Sequence, residues 1–288
     1  MKNLPMNSLK SILGFMQGRL CDQVDGKIQA FPWENWEVEF SIAESINVSA
    51  MEWTLDQEKL YENPLMTKEG QRKIRALSSF HHVAIPSLTG DCFMQAPFWK
   101  SSADLESKLQ NDFLAVCDAC STVGIKMVVV PLVDNGCLEN NQQEDRLVDF
   151  LLSNEKCFSR KSIKILFESD FEPLNLKRFI NRLPSDRFGI NYDIGNSAAL
   201  GFEPRDEFDA YGARIVNVHV KDRIRGGATV PLGTGSADFK VVFSELKKAS
   251  YTGNYILQTA RAADGDHAGA IIKYRNMVLD LVTETENS

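Results

Sequence analysis

Short apolar runs recur along this chain at intervals that leave room for one helix between each pair. They fall near 11–16, 50–54, 84–88, 126–131, 163–168, 189–193, 215–220 and 255–258. Each is rich in β-branched or other apolar residues and lacks strict alternation, as expected of strands covered on both faces. The segments between them carry helical stripes. Trp36, Phe40, Ala43 and Ile46 form one, Ile74, Leu77 and Phe80 part of a second, and Phe113, Val116, Cys117 and Cys120 a third. Pro204 suits the first position of a helix, Asp238 suits an N-cap before FKVVFSELKKA, and AGAIIKYRNMVLDLV supplies a last helix. Eight such alternations, with no GxGxxG turn and no Pro/Ser/Gly-rich linker, predict an α/β fold: a (β/α)8 TIM barrel forming a single domain over 1–288.

The last four runs share a further property. IKILFE ends at Glu168, GINYD at Asp193, IVNVH at His219 and YILQ at Gln258, so each closes on a side chain able to bind a cation or move a proton. In a parallel barrel these positions converge on the mouth that carries the chemistry. Two carboxylates and an imidazole suit a hard or borderline divalent cation, Mn, Mg, Co or Zn. Gln258 offers a neutral oxygen and cannot act as a base. Taken singly, each residue has a plainer reading: Glu168 paired with Lys221, Asp193 in an Asx turn, His219 as a hydrogen-bonded core residue. The shared position in four equivalent units favours one site.

Composition narrows the partners. A formal net charge of −7 with scattered positive residues argues against nucleic acid and leaves a small molecule as the expected partner. The opening MKNLPMNSLKSILGF lacks an export signal's apolar core, and no run reaches the length of a membrane span, so a cytoplasmic protein without membrane contact is expected. The six cysteines are expected as thiols, and the CxxC of Cys117 and Cys120 reads as a buried helix face rather than a metal or redox site.

Two long loops are positioned to cover the mouth: SLTGDCFMQAPFWK after the third strand and VKDRIRGGATVPLGTGSADF after the seventh. The glycine-rich part of the second could present N–H groups to a phosphate. Arg19 and Arg261 are candidates to bind a phosphate or carboxylate, although exposed arginines are common. Trp33, Phe93, Phe98 and Trp99 could wall a sugar, seal the barrel, or bury the FMQAPFW segment in a homodimer.

FESD, YDIGNSAALG, VNVHVKDR, VPLGTGSADF and YTGNYILQTAR resemble, in order and spacing, the xylose isomerase-like TIM barrels, in particular the sugar-phosphate isomerase/epimerase branch that includes L-ribulose-5-phosphate 3-epimerases. The resemblance is strong over 161–267 and looser upstream, at GFMQGRL, AMEWT and SLTGDCF. It implies a divalent cation held by Glu168, Asp193, His219 and the residue at 258, where glutamine replaces the family's glutamate and weaker cation binding is expected. It also implies proton abstraction next to a carbonyl through an enediolate, with Glu168 as base and Lys221 in support. The family's second glutamate is missing. Either Glu52 or Asp91 replaces it, or one face of the intermediate is used, as in aldose–ketose isomerisation. Asn196, Asp222, Arg261, Arg19, Trp33 and Phe98 are the expected substrate contacts. The expected activity is that of a sugar or sugar-phosphate isomerase or epimerase. The alternatives are a metal-dependent inosose-type dehydratase, which starts from the same enolisation, and a non-catalytic sugar-binding barrel that has lost its metal. An endonuclease with a three-metal cluster would demand more histidines than the four present.

Overall fold

The computed structural model describes residues 13–286. It contains a closed barrel of eight parallel strands in sequence order. They are β1 (Leu13–Met16), β2 (Met51–Thr54), β3 (Ser87–Thr89), β4 (Met127–Leu132), β5 (Lys164–Ser169), β6 (Phe188–Asp193), β7 (Ile215–Val220) and β8 (Asn254–Leu257). The barrel closes where β1 pairs with β8, Gly14 opposite Ile256. Every predicted run therefore lies on or beside a barrel strand, although positions 11 and 12 and most of the opening segment lie outside the described residues. The third run starts early: Ala84 makes only an isolated bridge to Ala50, and the strand proper begins after Pro86, which has no N–H to give.

Helices pack around the barrel because their apolar stripes need cover. Trp36, Phe40, Ala43 and Ile46 are buried along and beside the helix Val38–Ser45. Phe113, Val116, Cys117 and Cys120 are all fully buried on Ala103–Val123, where burial raises both thiols well above their ordinary range. Phe80 departs from its predicted stripe. It is 76% exposed near the end of Lys68–His81, with its ring edge-on to His81. Pro204 begins the helix Pro204–Tyr211, and the Asp238 carboxylate caps Phe239–Lys248 by accepting from the Val241 N–H at 3.0 Å. No described helix is long and apolar enough to cross a membrane.

The two long loops fold back on the barrel. Phe98 and Trp99 are buried, Phe98 against Phe113 and Phe150, and the Trp99 indole N–H donates to the Gly136 carbonyl. Burying a ring of this size contributes about 1.5–3 kcal/mol. Phe98 is therefore a sealing residue rather than a sugar contact, and these rings are unavailable to a homodimer. The loop after β7 forms a two-stranded ribbon, Asp222–Arg223 against Thr229–Val230.

Candidate active site

The barrel interior is polar beneath its mouth. Asn191 and Asn217 stand two positions before Asp193 and His219, so they point to the same side of their strands, toward the axis. Asn217 lies opposite Asn191 in the β6–β7 register, and Asp193 lies opposite His219. Two glycines make close approaches possible. A Cβ at Gly195 would fall 2.7 Å from Lys221 Cγ, and Gly18 takes φ +86° while its N–H meets the Glu39 carboxylate.

Glu168, Asp193 and His219 converge from three adjacent strands, each offering one ligand atom within 4.8 Å of the other two. His219 Nδ1 lies 3.2 Å from Glu168 Oε2 and 4.0 Å from Asp193 Oδ2. On the ring's far side Nε2 meets Glu52 Oε1 at 2.7 Å. Asn191 Nδ2 donates to Glu168 Oε2 at 2.9 Å, and Asn196 Nδ2 donates to Glu168 Oε1 at 2.6 Å. Lys221 pairs with Asp193 Oδ2 at 3.3 Å, rather than with Glu168, and donates to Asn196 Oδ1 at 3.1 Å. Arg223 also donates to that oxygen.

The charges sustain one another in a dry place. Burial opposes an imidazolium at His219, but Glu52 and Glu168 outweigh it and raise its pKa to about 10. Burial also opposes the Glu168 and Glu52 carboxylates, and the His219 charge outweighs it, holding both below the usual range. Asp193 differs: burial raises it more than Lys221 lowers it.

Glu52 does not face the mouth. Its side chain is fully buried, and its oxygens accept from Ser87, Thr89, Asn217 and His219. That corrects the expectation that it supplies a second base, because no oxygen is left for a substrate proton. A carboxylate behind the ring instead fixes the imidazole's orientation and leaves Nδ1 toward the cluster.

Gln258 follows β8, and its buried Oε1 has no hydrogen-bond partner, while Nε2 has only a long 3.7 Å contact to Met16 Sδ. An orphaned buried carbonyl oxygen is costly unless something completes it. Glu168, Asp193, His219 and this oxygen fit a hard cation by donor type.

Asp91 follows β3 and opens the helix Asp91–Gln95. It is 7% exposed, and its Oδ2 is buried without a partner. Burial raises its pKa well above the carboxylate range, helped by Asp56 and Glu168 and opposed by Arg19 and His219.

Three expected substrate contacts are engaged elsewhere, and a fourth, Trp33, stays open. Arg261 spends its guanidinium on the carbonyls of Cys21, Ile28 and Gly18, clamping the loop after β1. Arg19 gives its terminal nitrogens to Ile28 O and Gln29 Oε1, and burial, then Arg261, lower its pKa to about 9. The Asp222 carboxylate accepts from the N–H groups of Gly233, Gly235 and Ala237, so it shapes the glycine-rich loop and occupies amides expected to cradle a phosphate. Trp33 stays 37% exposed beside Phe31, with Lys59 Nζ 5.7 Å from its ring centre. Asn191, Asn217 and Glu39 were missed from sequence. A lone asparagine on the inward side of each apolar run was the available signal for the first two.

The sequence profile of the xylose isomerase-like TIM barrels matches residues 40–274. Two curated relatives are L-ribulose-5-phosphate 3-epimerases named UlaE. The Shigella sonnei protein is 30% identical over 163 residues, 54% of this chain and 57% of that protein. The Escherichia coli protein is 24% identical over 254 residues, 85% of this chain and 89% of that protein. Among solved structures, the IOLI protein with a binding zinc atom superposes with a TM-score of 0.73 at 16% identity, covering 95% of this chain and 99% of that one. At that identity the likeness speaks for the fold alone.

Proposed function

The chain belongs to the xylose isomerase-like TIM barrel family, and we propose on that premise that it is a sugar isomerase or epimerase acting by cation-assisted enolisation. The observation that carries the reading is the convergence of Glu168, Asp193 and His219 within 4.8 Å, with Glu52 locking the imidazole from behind. Glu168, Asp193, His219 and Gln258 Oε1 would hold a divalent cation of the Mn, Mg, Co or Zn class. Such a cation, when bound, polarises the sugar carbonyl and neighbouring hydroxyl and stabilises the enediolate.

Glu168, whose charge Lys221 favours, removes the proton on the carbon beside the carbonyl. Asn196 and Asn191 keep its carboxylate aimed, and Lys221 holds a substrate hydroxyl or steadies the developing negative charge. Exposed Trp33 is the aromatic candidate for a sugar face. The curated relatives act, by name, on a sugar phosphate. The arginines and loop amides expected to hold a phosphate are engaged within the protein, so free and phosphorylated ketoses both enter the test.

The test has two parts. Calorimetric titration of the metal-stripped protein with Mn²⁺ and Mg²⁺ is expected to show one site that Asp193→Asn weakens. A panel of ketopentoses and ketohexoses, free and phosphorylated, incubated with the cation-loaded protein in D2O, is expected to include a member that gains deuterium at carbon. Glu168→Gln should reduce that exchange at least about a hundredfold. No cation binding at millimolar concentration, or no exchange by any panel member, overturns the reading.

A further inference from the structure

The wall formed by β1, β2 and β3 holds an ionisable group without a hydrogen-bond partner. Asp91 is more than nine-tenths buried, and Oδ2 is enclosed with nothing to bond to. Arg19, whose charge acts on Asp91, likewise has a buried Nε without a partner. Two incomplete polar atoms, an acceptor and a donor, on one wall of a barrel mouth call for a hydroxyl-bearing ligand. Their position in the barrel gives that ligand a geometry. Strands β4 and β8 are diametrically opposed, and a plane through them and the barrel axis puts Glu168, Asp193 and His219 on one side and Asp91 on the other.

We propose that Asp91 is the second catalytic residue of the enolisation read above, a carboxylic acid that returns a proton to the face opposite Glu168 and so makes the protein an epimerase. This rests on the reading in the preceding subsection. The Glu168 carboxylate takes the proton from the carbon beside the carbonyl, breaking C–H and leaving the electron pair in the enediolate. The Asp91 O–H then breaks as its proton forms a C–H bond on the other face of that carbon. Asp91 ends as carboxylate and Glu168 as acid, and exchange of both with solvent restores the start.

The surroundings favour the neutral acid. Asp56 from the loop after β2 and Glu168 from β5 oppose a charge on Asp91, burial opposes it more, and Arg19 and His219 only partly compensate. The neighbouring Cys92 thiol, itself pushed well up by burial, adds no positive charge. Glu52 cannot take this role, since all its acceptor capacity is committed.

The experiment compares wild type with Asp91→Asn, both Mn²⁺-loaded in D2O, using the ketose panel member that exchanges fastest. Wild type is expected to give the epimer carrying deuterium at the inverted carbon. Asp91→Asn should still exchange at that carbon with retention, within about threefold of the wild-type rate, while epimer formation falls a hundredfold or more. Its Mn²⁺ affinity should match wild type, because Asp91 is not a ligand. Wild type minus Asp91→Asn infrared difference spectra at pH 7 should show a protonated carboxyl band. Should Asp91→Asn fail to fold, Asp91→Glu serves: it should keep measurable inversion with a displaced alkaline limb in its pH profile. Full inversion in Asp91→Asn, parallel loss of exchange and inversion, or an unshifted limb in Asp91→Glu overturns the proposal and leaves the enolisation reading standing. Wild type that exchanges no ketose takes both down.

Discussion

The β5–β7 wall and the β1–β3 wall of the same mouth solve opposite problems. On the first, Glu168, Asp193, His219, Lys221 and Asn196 are one another's partners, and negative groups sit within 4 Å of positive ones. On the second, the charged groups mostly serve the scaffold. Arg19 and Arg261 bind backbone carbonyls, Glu39 binds the N–H groups of Gly18 and Leu20, and Asp91 Oδ2 is left unpartnered. One wall compensates its charges internally. The other holds its loop rigid and keeps one titratable group in reserve. The difference shows that a polar residue at a barrel mouth is not functional by location. What separates Asp91 from Arg261 is whether its hydrogen bonds are already made.

Glu52 is the link between the walls, and its substitution should have the largest effect. It reaches from β2 to His219 on β7, and both residues are fully buried. Glu52→Gln removes the charge that holds the ring and leaves an amide to satisfy four donors. Breaking a buried pair of this kind costs about 3–5 kcal/mol, visible as a lower urea midpoint. Cation affinity should also fall about 10–100-fold by calorimetry, the usual effect of losing a partner that orients a ligand. Unchanged Mn²⁺ affinity would show that the β5–β7 wall is set without help from across the barrel.

The second test concerns the scaffold wall alone. Burial raises Glu39 to about 7, against the three N–H contacts it accepts and the pull of Arg19 and Arg261. A carboxyl raised in the folded state favours folding most when protonated. Its contribution is complete below the unfolded value of about 4.3 and is lost as pH climbs through about 7. The loss amounts to about 4 kcal/mol at 1.36 kcal/mol per unit. Urea midpoints of wild type should therefore fall between pH 5 and pH 8 more than those of Glu39→Gln, which has no proton to lose. Equal slopes would remove Glu39 from the account of how this loop is held.

The sequence revealed the β5–β7 wall better than the β1–β3 wall for a physical reason. Glu168, Asp193 and His219 stand at or near the ends of apolar runs, and strand periodicity alone directs their side chains inward. Asn191 and Asn217 followed the same rule two positions earlier. Arg19, Arg261 and Asp222 sit in loops, where hydrogen-bond partners depend on how 17–31 and 223–237 fold, and no period encodes that. Phe98 and Trp99 were ambiguous because an aromatic cluster after a strand can face outward to a ligand or inward to helices. The stripes on 103–123 and 141–161 settle it by supplying Phe113 and Phe150. Glu52 was legible as an inward strand residue, but its hold on His219 crosses 167 positions, a relation set only by barrel closure.

Gln258 gives the smallest expected effect and the sharpest test of where the charge-compensated wall ends. Gln258→Glu is nearly isosteric, and Oε1 makes no hydrogen bond that a carboxylate would lose. The amide gives up only a 3.7 Å contact with Met16 Sδ. If the oxygen completes the cation site, an added negative charge should tighten Mn²⁺ binding about tenfold, or 1.4 kcal/mol. The gain must depend on pH, because a buried carboxylate near Glu168 and Asp193 resists ionisation until a cation offsets them. Calorimetry at pH 6 and pH 8.5 should therefore show a larger advantage of the variant over wild type at the higher pH. An equal affinity at both pH values would mean that residue 258 stands outside the cation's reach, and the site would then close on the three residues of the β5–β7 wall.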